Sequence, residues 1–400
     1  DINKKNNTLQ NSGCTKRMPP MKLRPFISFE DPNHTEILYT PLALWNKHDG
    51  AMLGLGVYNG FVFEKMLEYG LSPMYGLRSE KLVGSARLGV NFKALSSLSI
   101  KKVSMHFSST RFSYDNHSVL GALEYNKLMS KTSFIFRPKK GETNVERRLD
   151  VRTALLFRDY AKKYITYYDK EEIWERKTLQ YNLVDAVFSI NKKKGLSPYK
   201  LDLRMEAGER LIKCDLTYNT KFRFNKRSNL NMRFFAGGFL YNENNSMVDY
   251  RYRMSGYRGQ HDYWYDNLYA ARTSSSGIWS QQAYNQGGGF KTLTPVGQTN
   301  NWLAALNFDF SLPWKLPIRI FADVGTYHNA GYDVPGYTDW VVYDLGICVK
   351  TGLLNVYLPL LMSPDLKNAM DANSTKYMQR VSLFLNLNAV NPYKIREILP

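Results

Sequence analysis

An arginine and a carboxylate have the residue types and the surroundings to pair. Arg258 precedes Gly259 inside a segment, about residues 243–299, that consists mostly of Gly, Ser, Asn, Gln and Tyr. Asp323 follows further along the chain. A guanidinium can bind a carboxylate bidentately, and a neighbouring glycine lets the backbone approach a wall closely. The sequence therefore predicts that Arg258 pairs with Asp323 and holds a folded-back segment. In the alternative interpretation, Arg258 lies at a wet rim and Asp323 pairs with Arg319 or a neighbouring strand.

Asp323 belongs to a strand with two unlike faces. Side chains alternate along residues 316–327, and such alternation is typical of a strand between an apolar medium and a polar interior. One face is apolar: Leu316, Ile318, Ile320, Ala322 and Val324. The other contains Arg319 and the F-x-D-x-G residues Phe321, Asp323 and Gly325. An inward carboxylate needs a partner.

No combination of residues predicts catalysis. H-E-x-x-H and G-x-S-x-G are absent, and the six histidines show no spacing typical of metal ligands. Asp262 and Asp266 flank Tyr263, Trp264 and Tyr265; a paired-carboxylate site is conceivable, but aromatic packing in a loop is favoured. Residues 287–289 (Gly-Gly-Gly) indicate loop flexibility. We expect no catalytic residue, no metal site and no cofactor.

Composition limits the class of protein. The 400 residues are 44% hydrophobic, with a mean hydropathy of −0.42, and no run of apolar residues is long enough for a membrane-spanning helix. Alternating strands could still form a transmembrane barrel, and 28 Tyr and 21 Phe suit its aromatic girdles. A soluble β-sandwich or β-helix is the alternative. The three cysteines, Cys14, Cys214 and Cys348, are too dispersed for a disulfide framework.

The formal charge of +19 predicts an anionic partner. Lysines recur at strand ends and turns, at residues 139–140, 162–163 and 192–194. This distribution favours contacts with lipid headgroups over a nucleic-acid groove. A soluble nucleic-acid binder is therefore the least favoured interpretation.

Strand-like segments follow one another from Glu36 onward, after a polar, Pro-containing lead-in or linker at residues 1–35. Sixteen are predicted: 37–46, 51–59, 63–76, 79–92, 96–111, 117–137, 146–162, 172–192, 195–208, 210–226, 228–242, 301–312, 316–327, 338–350, 352–361 and 376–388. Tight joins tend to alternate with long ones, as expected of a barrel with short turns at one end. We predict a 16-stranded antiparallel transmembrane β-barrel over 36–400, with the segment 243–299 plugging its lumen.

These motifs resemble the BamA and two-partner-secretion superfamily of outer-membrane barrels. The resemblance implies that an Arg-Gly motif in the sixth external loop docks on an F-x-D-x-G motif in the thirteenth strand, and both positions match this chain. Gln260 departs from the family pattern, in which an aromatic residue follows Arg-Gly; here Tyr257 precedes it. Family members that insert or translocate proteins also carry POTRA domains ahead of the barrel, for which residues 1–35 are too short.

A narrower likeness is to the C-terminal barrel of Bacteroidota outer-membrane proteins with a zinc-peptidase-like domain in front. It is based on residues 45–55, 259–266 and 385–392 and implies that this chain is the barrel part of such a protein. The expected function is outer-membrane protein assembly or translocation, or a scaffold for it, in the bacterial outer membrane. Expected partners are outer-membrane lipids, lipopolysaccharide and other outer-membrane proteins or lipoproteins in a complex. The alternatives are a membrane anchor for a metallopeptidase-like protein and a diffusion pore.

Overall fold

Sixteen antiparallel strands form the wall of a β-barrel in the computed structural model. The structure describes residues 21–26, 34–60, 64–93, 99–139, 141–142, 144–165, 172–195, 197–225, 228–243, 250–313, 316–328, 340–372 and 376–385. The strands are β1 (Met21–Pro25), β2 (Thr35–Asn46), β3 (Gly50–Tyr58), β4 (Leu67–Gly76), β5 (Lys81–Lys93), β6 (Ile100–His117), β7 (Gly121–Phe136), β8 (Val145–Ile165), β9 (Glu172–Lys192), β10 (Tyr199–Gly208), β11 (Leu211–Arg223), β12 (Asn229–Asn242), β13 (Tyr252–Arg253), β14 (Gln298–Thr299), β15 (Trp302–Ser311), β16 (Ile318–Tyr327), β17 (Val341–Lys350), β18 (Leu354–Met362) and β19 (Ser382–Leu385).

Each wall strand pairs with the next along the chain. The order runs from β2 through β12, continues at β15 and ends at β19, always antiparallel. The predicted number of sixteen wall strands is confirmed, and the Asp323 strand, β16, is the thirteenth of them. Short strands β13 and β14 pair with each other inside the long loop.

Several details differ from the sequence-based expectation. A short strand, β1, forms within the supposed linker and pairs with β2 in parallel. Helix α1 (Pro364–Ala372) lies in the connection before the expected last strand. A second short helix, α2 (Tyr377–Arg380), occupies the beginning of that strand, which is described only as Ser382–Leu385. Its expected continuation at 386–388, and most of residues 1–35, lie outside the described residues.

The two faces of the wall differ as alternation predicts. In β16, Ile320 and Val324 are 39% and 37% exposed, whereas Phe321 and Asp323 are buried. Large apolar side chains are likewise exposed on many other strands: Leu53, Leu55, Leu71, Leu88, Phe107, Leu128, Leu155, Val184, Leu203, Phe234, Ile347 and Leu360. Monomeric soluble proteins rarely expose apolar patches this large, so a band of this kind is typical of a wall surrounded by an apolar medium. The outer face therefore contacts lipid.

No helix in the described part of the chain is long and apolar enough to cross a membrane.

The inner face is charged and paired. Carboxylates and cations alternate along neighbouring strands; for example, Arg152 binds Asp185 at 2.5 Å and Arg204 binds Glu206 at 2.8 Å. Such groups are rarely buried without partners. The lumen is thus a polar interior, into which the loop between β12 and β15 folds.

Candidate functional site

The loop between β12 and β15, here called the plug (residues 250–299), fills one end of the lumen. Three buried apolar clusters join it to the wall. In one, Met254 and Phe290 of the plug pack with Leu303 and Val342 of the wall. In the others, Trp264 and Tyr265 pack against strands β6 to β11. The expectation that this segment enters the lumen is confirmed.

Asp323 is the centre of a row of polar side chains across four strands. Successive register partners place Arg233, Asn307, Asp323 and Asp344 side by side on β12, β15, β16 and β17. We call these four residues the anchor row. Asp323 and Asp344 are almost completely buried. Because each residue lies opposite the next in antiparallel register, the four side chains form a ladder facing the lumen.

The plug segment Gly287–Thr292 lies directly on this ladder. Arg233 donates to the Gly287 carbonyl (2.8 Å) and Asn307 to the Gly288 carbonyl (2.9 Å). The Lys291 backbone N–H donates to Asp323 Oδ2 at 3.0 Å, and the Thr292 N–H donates to Asp344 Oδ2 at 2.8 Å. Since buried polar backbone must be hydrogen-bonded, these contacts fix both the position and the direction of the segment.

The predicted contact between Arg258 and Asp323 does not form. Lys291 takes that place, with its Nζ 3.5 Å from Asp323 Oδ2, and Asn307 donates to Asp323 Oδ1 at 3.0 Å. Arg258 stacks on the Tyr257 ring at 4.8 Å, and within the described part of the chain it has no carboxylate partner. The plug passes the anchor row with residues 287–292 rather than with its Arg-Gly pair. The alternative pairing with Arg319 is also not formed, since Arg319 binds Asp309.

Two of the three F-x-D-x-G residues, Asp323 and Gly325, contact the plug, whereas Phe321 packs within the wall. Phe321 is fully buried and packs edge-to-face on Tyr357 with ring centroids 5.6 Å apart. A Cβ added to Gly325 would lie 2.6 Å from Met254 Sδ of the plug. The motif thus supplies a hydrogen-bond acceptor at Asp323 and, at Gly325, the space that the Met254 side chain occupies. Asp323 and Gly325 meet Lys291 and Met254 of the plug, in place of the predicted Arg258.

The Gly-Gly-Gly sequence at 287–289 is not a flexible spacer. A Cβ on Gly288 would be 2.7 Å from Met254 Cα, which is backbone and cannot rotate away. Gly289 has a φ of 67°, a conformation that side chains disfavour. The glycines are needed because the chain passes between the wall and another plug segment.

A second contact region, the aromatic arm (Tyr263–Asp266), grips the opposite wall. Tyr263 O–H donates to Glu206, and Arg152 lies 4.7 Å from the centroid of the Trp264 ring. Tyr265 packs on Tyr125 with centroids 4.2 Å apart. The expected aromatic packing of these three residues is therefore what the structure shows. Tyr257, the fourth aromatic residue singled out, is half-buried next to Arg258.

Asp262 and Asp266 are structural carboxylates. Asp262 binds Arg272 at 2.6 Å and accepts the backbone N–H groups of Asp266 and Asn267 at 3.0 Å each. Arg272 also donates to the Gly259 carbonyl at 3.0 Å, so it braces the turn that contains Arg258. Burial lowers the pKa of the neighbouring His261 to about 3 and keeps its imidazole neutral. Asp262, Arg272 and His261 therefore stabilise the internal structure of the plug.

Asp266 is clamped by two cations of the wall. Lys127 Nζ and Arg152 Nη1 each lie 2.8 Å from one of its carboxylate oxygens. Burial alone would raise the pKa of Asp266, but Arg152 and Lys127 hold that pKa at about 2, below the ordinary 3.8. A depressed pKa adds stability above the ordinary value and loses it as pH falls through the shifted one.

We therefore expect the aromatic arm to stay docked from neutral pH to about pH 4 and to loosen as the pH approaches 2. Ionic current through single barrels, recorded from pH 7 to pH 2, measures the release. The variant Asp266→Asn removes the titrating group, so its current should depend less on acid over the same range. An identical acid profile in both proteins would contradict this role for Asp266.

The plug also contacts both ends of the strand order. The Lys47 N–H, in the turn after β2, donates to the Ala270 carbonyl at 2.7 Å, and His48 Nε2 lies 2.7 Å from the Arg272 carbonyl oxygen. At the other end, the Ala283 N–H donates to the Leu383 carbonyl of β19 at 2.6 Å. The plug thus connects the first hairpin to the last strand.

Sequence reasoning missed the residues that complete the site. Asp344 had a detectable signal, because it lies in an alternating strand at an inward position. Lys291, Arg272 and Arg233 had none, since nothing local distinguishes them from other basic residues. Among the described residues, no group of three or more His, Cys, Asp or Glu side chains could hold a metal ion.

Comparisons with known proteins find structural likenesses at low sequence identity. No protein-family model matches the chain, and no curated protein matches it. BamA from Haemophilus ducreyi, solved without POTRA domains 1–3, is similar over 83% of this chain and 70% of its own, at 11% identity and a TM-score of 0.44. CdiB from Escherichia coli is similar over 83% of this chain and 62% of its own, at 10% identity and a TM-score of 0.42.

CdiB from Acinetobacter baumannii gives a TM-score of 0.38 at 11% identity, covering 84% of this chain and 60% of that one. The chain therefore spans less than two thirds of either CdiB protein. Because these TM-scores are below 0.5, the fold assignment rests on the strand pairing and on the two faces of the wall.

Proposed function

We propose that this chain is an integral outer-membrane barrel of the BamA-like superfamily, which acts in outer-membrane protein assembly or translocation or as a scaffold for it. The sixteen strands, the plug formed by the sixth loop at one end, and F-x-D-x-G in the thirteenth wall strand support the superfamily. The apolar outer band supports a site in the bacterial outer membrane, next to its lipids and lipopolysaccharide. Partner outer-membrane proteins or lipoproteins would meet the barrel there.

The plug argues against a diffusion pore. It is fixed to one wall by the anchor row and to the other by the aromatic arm, and most of its large side chains are buried. A pore would need an open route past these contacts. We therefore propose that the barrel acts at the edge of its first wall strand, β2, rather than through its lumen.

The observation that carries the proposal is the weak cap on the first wall strand. β1 covers Thr35–Tyr39 of β2 through five parallel register pairs. Burial of its apolar side chains contributes little to the stability of this pairing, since Met21 and Leu23 are 71% and 69% exposed. Parallel pairing is slightly less stable per residue than antiparallel pairing. A cap held mainly by backbone hydrogen bonds can be displaced, and the freed edge would template another strand.

Locking the cap should abolish this activity. In a background without Cys14, Cys214 and Cys348, we expect Leu23→Cys and Ile37→Cys, which are register partners, to form a disulfide. Insertion of an unfolded reporter barrel into liposomes should stop in the oxidised protein and return after reduction. Leu203→Cys with Leu216→Cys, register partners on the central strands β10 and β11, is the matched control and should leave insertion unchanged.

If the oxidised Leu23→Cys/Ile37→Cys variant inserts the reporter as well as the reduced variant does, the proposal that strands exchange at β2 is wrong. A barrel that inserts no reporter in any state, yet retains a peptidase-like domain at the membrane, would instead fit the anchor role.

A further inference from the structure

The end of the lumen opposite the plug is hollow and strongly basic. A cavity of about 520 Å³ lies beside the β9–β10 and β11–β12 turns, and a second of about 510 Å³ continues from it toward the plug. They share lining residues, including Lys200, Asn219 and Arg233. Each volume falls within the range of ordinary ligand pockets. We call the two together the basic vestibule.

Cations greatly outnumber carboxylates in the outer cavity. Asp309 is the only carboxylate among the described residues that line it. The cationic lining residues are Lys192, Lys193, Lys200, Lys221, Arg233, Lys291 and Lys350. Low-dielectric walls concentrate the field of such a set and attract anions into the cavity.

Several of these charges are not neutralised by the protein. Lys192 and Lys221 have no ion-pair partner among the described residues, and other cations, including Arg223 and Arg319, repel Lys221. Among the residues that the structure describes, the Arg233 guanidinium donates only to the neutral oxygens of Asn307 and Gly287. Together they leave an excess of positive charge from the rim to the floor of the cavity.

We propose that the basic vestibule binds an extended, acidic polypeptide segment that enters from the end opposite the plug. This goes beyond the proposed function, because it requires only the vestibule and is independent of strand exchange at β2. The cations are spread along the walls rather than focused on one point. Such spacing suits a chain with separated carboxylates better than a single phosphate group.

The neutral lining residues favour a polypeptide. Side-chain amides can donate to peptide carbonyls and accept from peptide N–H groups. Six of the described lining residues carry one: Asn191, Asn219, Asn231, Asn285, Gln286 and Asn307. Four wall carboxylates, Asp150, Asp202, Asp215 and Asp309, are interspersed with the cations. A densely charged polyanion would be repelled by these carboxylates, whereas a peptide can place neutral residues against them.

Fluorescence anisotropy of a labelled peptide tests the proposal on the purified barrel in lipid nanodiscs. The probes are a twelve-residue peptide in which glutamates alternate with neutral residues, and its glutamine-substituted counterpart. We expect the acidic peptide to bind at least tenfold more tightly and to weaken as salt is added. The variant Lys192→Gln/Lys221→Gln should bind it at least tenfold more weakly. Within the described part of the chain, neither lysine has a hydrogen bond or ion pair with the plug. The variant should therefore fold and keep the heat-dependent gel migration of an intact barrel.

The control variant Lys163→Gln/Lys177→Gln removes equal charge from exposed positions of β8 and β9 at the plug end. It should bind the acidic peptide as the unmodified barrel does. Equal binding of the two peptides, or equal loss in both variants, would overturn the proposal. So would displacement of the acidic peptide by inorganic polyphosphate at matched charge concentration, because the vestibule would then be a general polyanion site.

Discussion

Replacing Asp323 with Asn should convert a closed barrel into one that conducts in bursts. The carboxylate accepts the Lys291 N–H and the Asn307 side-chain N–H, and it lies 3.5 Å from the Lys291 ammonium group. An amide removes the charge and turns one acceptor into a donor that faces another donor. Hydrogen bonds to charged groups contribute about 1.5–3 kcal/mol each.

We therefore expect docking of residues 287–292 to weaken by about 2–3 kcal/mol, which raises the undocked population roughly 30- to 150-fold. Single-channel recording in planar bilayers measures that population as the fraction of time spent open. The aromatic arm is intact in this variant, so the openings should be brief and partial.

Arg258→Gln is the decisive control, because the resemblance to BamA-like barrels implies the opposite result. Arg258 contacts the Tyr257 ring and contributes no ion pair within the described residues. An exposed cation–π contact contributes about 0.5–1 kcal/mol, too little to release the plug. If Arg258→Gln opened the barrel while Asp323→Asn left it closed, the anchor row would not be what holds the plug.

The second large effect is expected from a single added methyl group. Gly288→Ala would place a Cβ 2.7 Å from Met254 Cα and 2.8 Å from the Met254 carbonyl oxygen. Both atoms are backbone, so the segment must move away from the wall. Overpacking of this kind costs about 1–3 kcal/mol. Phe290 and Lys291, both buried in the docked plug, should then become accessible.

Trypsin cleavage after Lys291 measures this displacement, with the fragments identified by mass spectrometry. The matched control is Gly238→Ala on β12, where an added Cβ would have no neighbour closer than 3.7 Å. We expect cleavage to be fast in Gly288→Ala and slow in Gly238→Ala and in the unmodified barrel. Equal resistance to trypsin in all three proteins would show that the plug accommodates the added methyl group without undocking from the wall.

The wall was predictable from sequence because its signal is local. Alternation along residues 316–327 depends only on which neighbours face lipid, and it correctly identified β16 as the thirteenth wall strand. Strand ends were less accurate, as at β19, where the short helix α2 replaces the beginning of the predicted strand. Helix and strand compete closely in that short polar segment.

The contacts of the plug were not predictable in the same way. Arg258 directly precedes a glycine and Lys291 lies two residues after one, and only the folded path of the loop decides which of the two reaches Asp323. That path is set by long-range packing, such as Met254 beneath Gly325. The sequence identified Asp323 as a residue that needs a partner, because an inward carboxylate is costly alone. It could not identify the partner.

The connection from the first hairpin to β19 makes the plug a crossbar between the two termini of the wall. Any separation of β2 from β19 must break the hydrogen bonds at Lys47 or Ala283, or shift the crossbar as a whole. The separation of β2 from β19 and the position of the plug are therefore linked equilibria, and the linkage is reciprocal. A strand of another protein that inserts between β2 and β19 should loosen the crossbar. A loosened crossbar should in turn make that insertion easier.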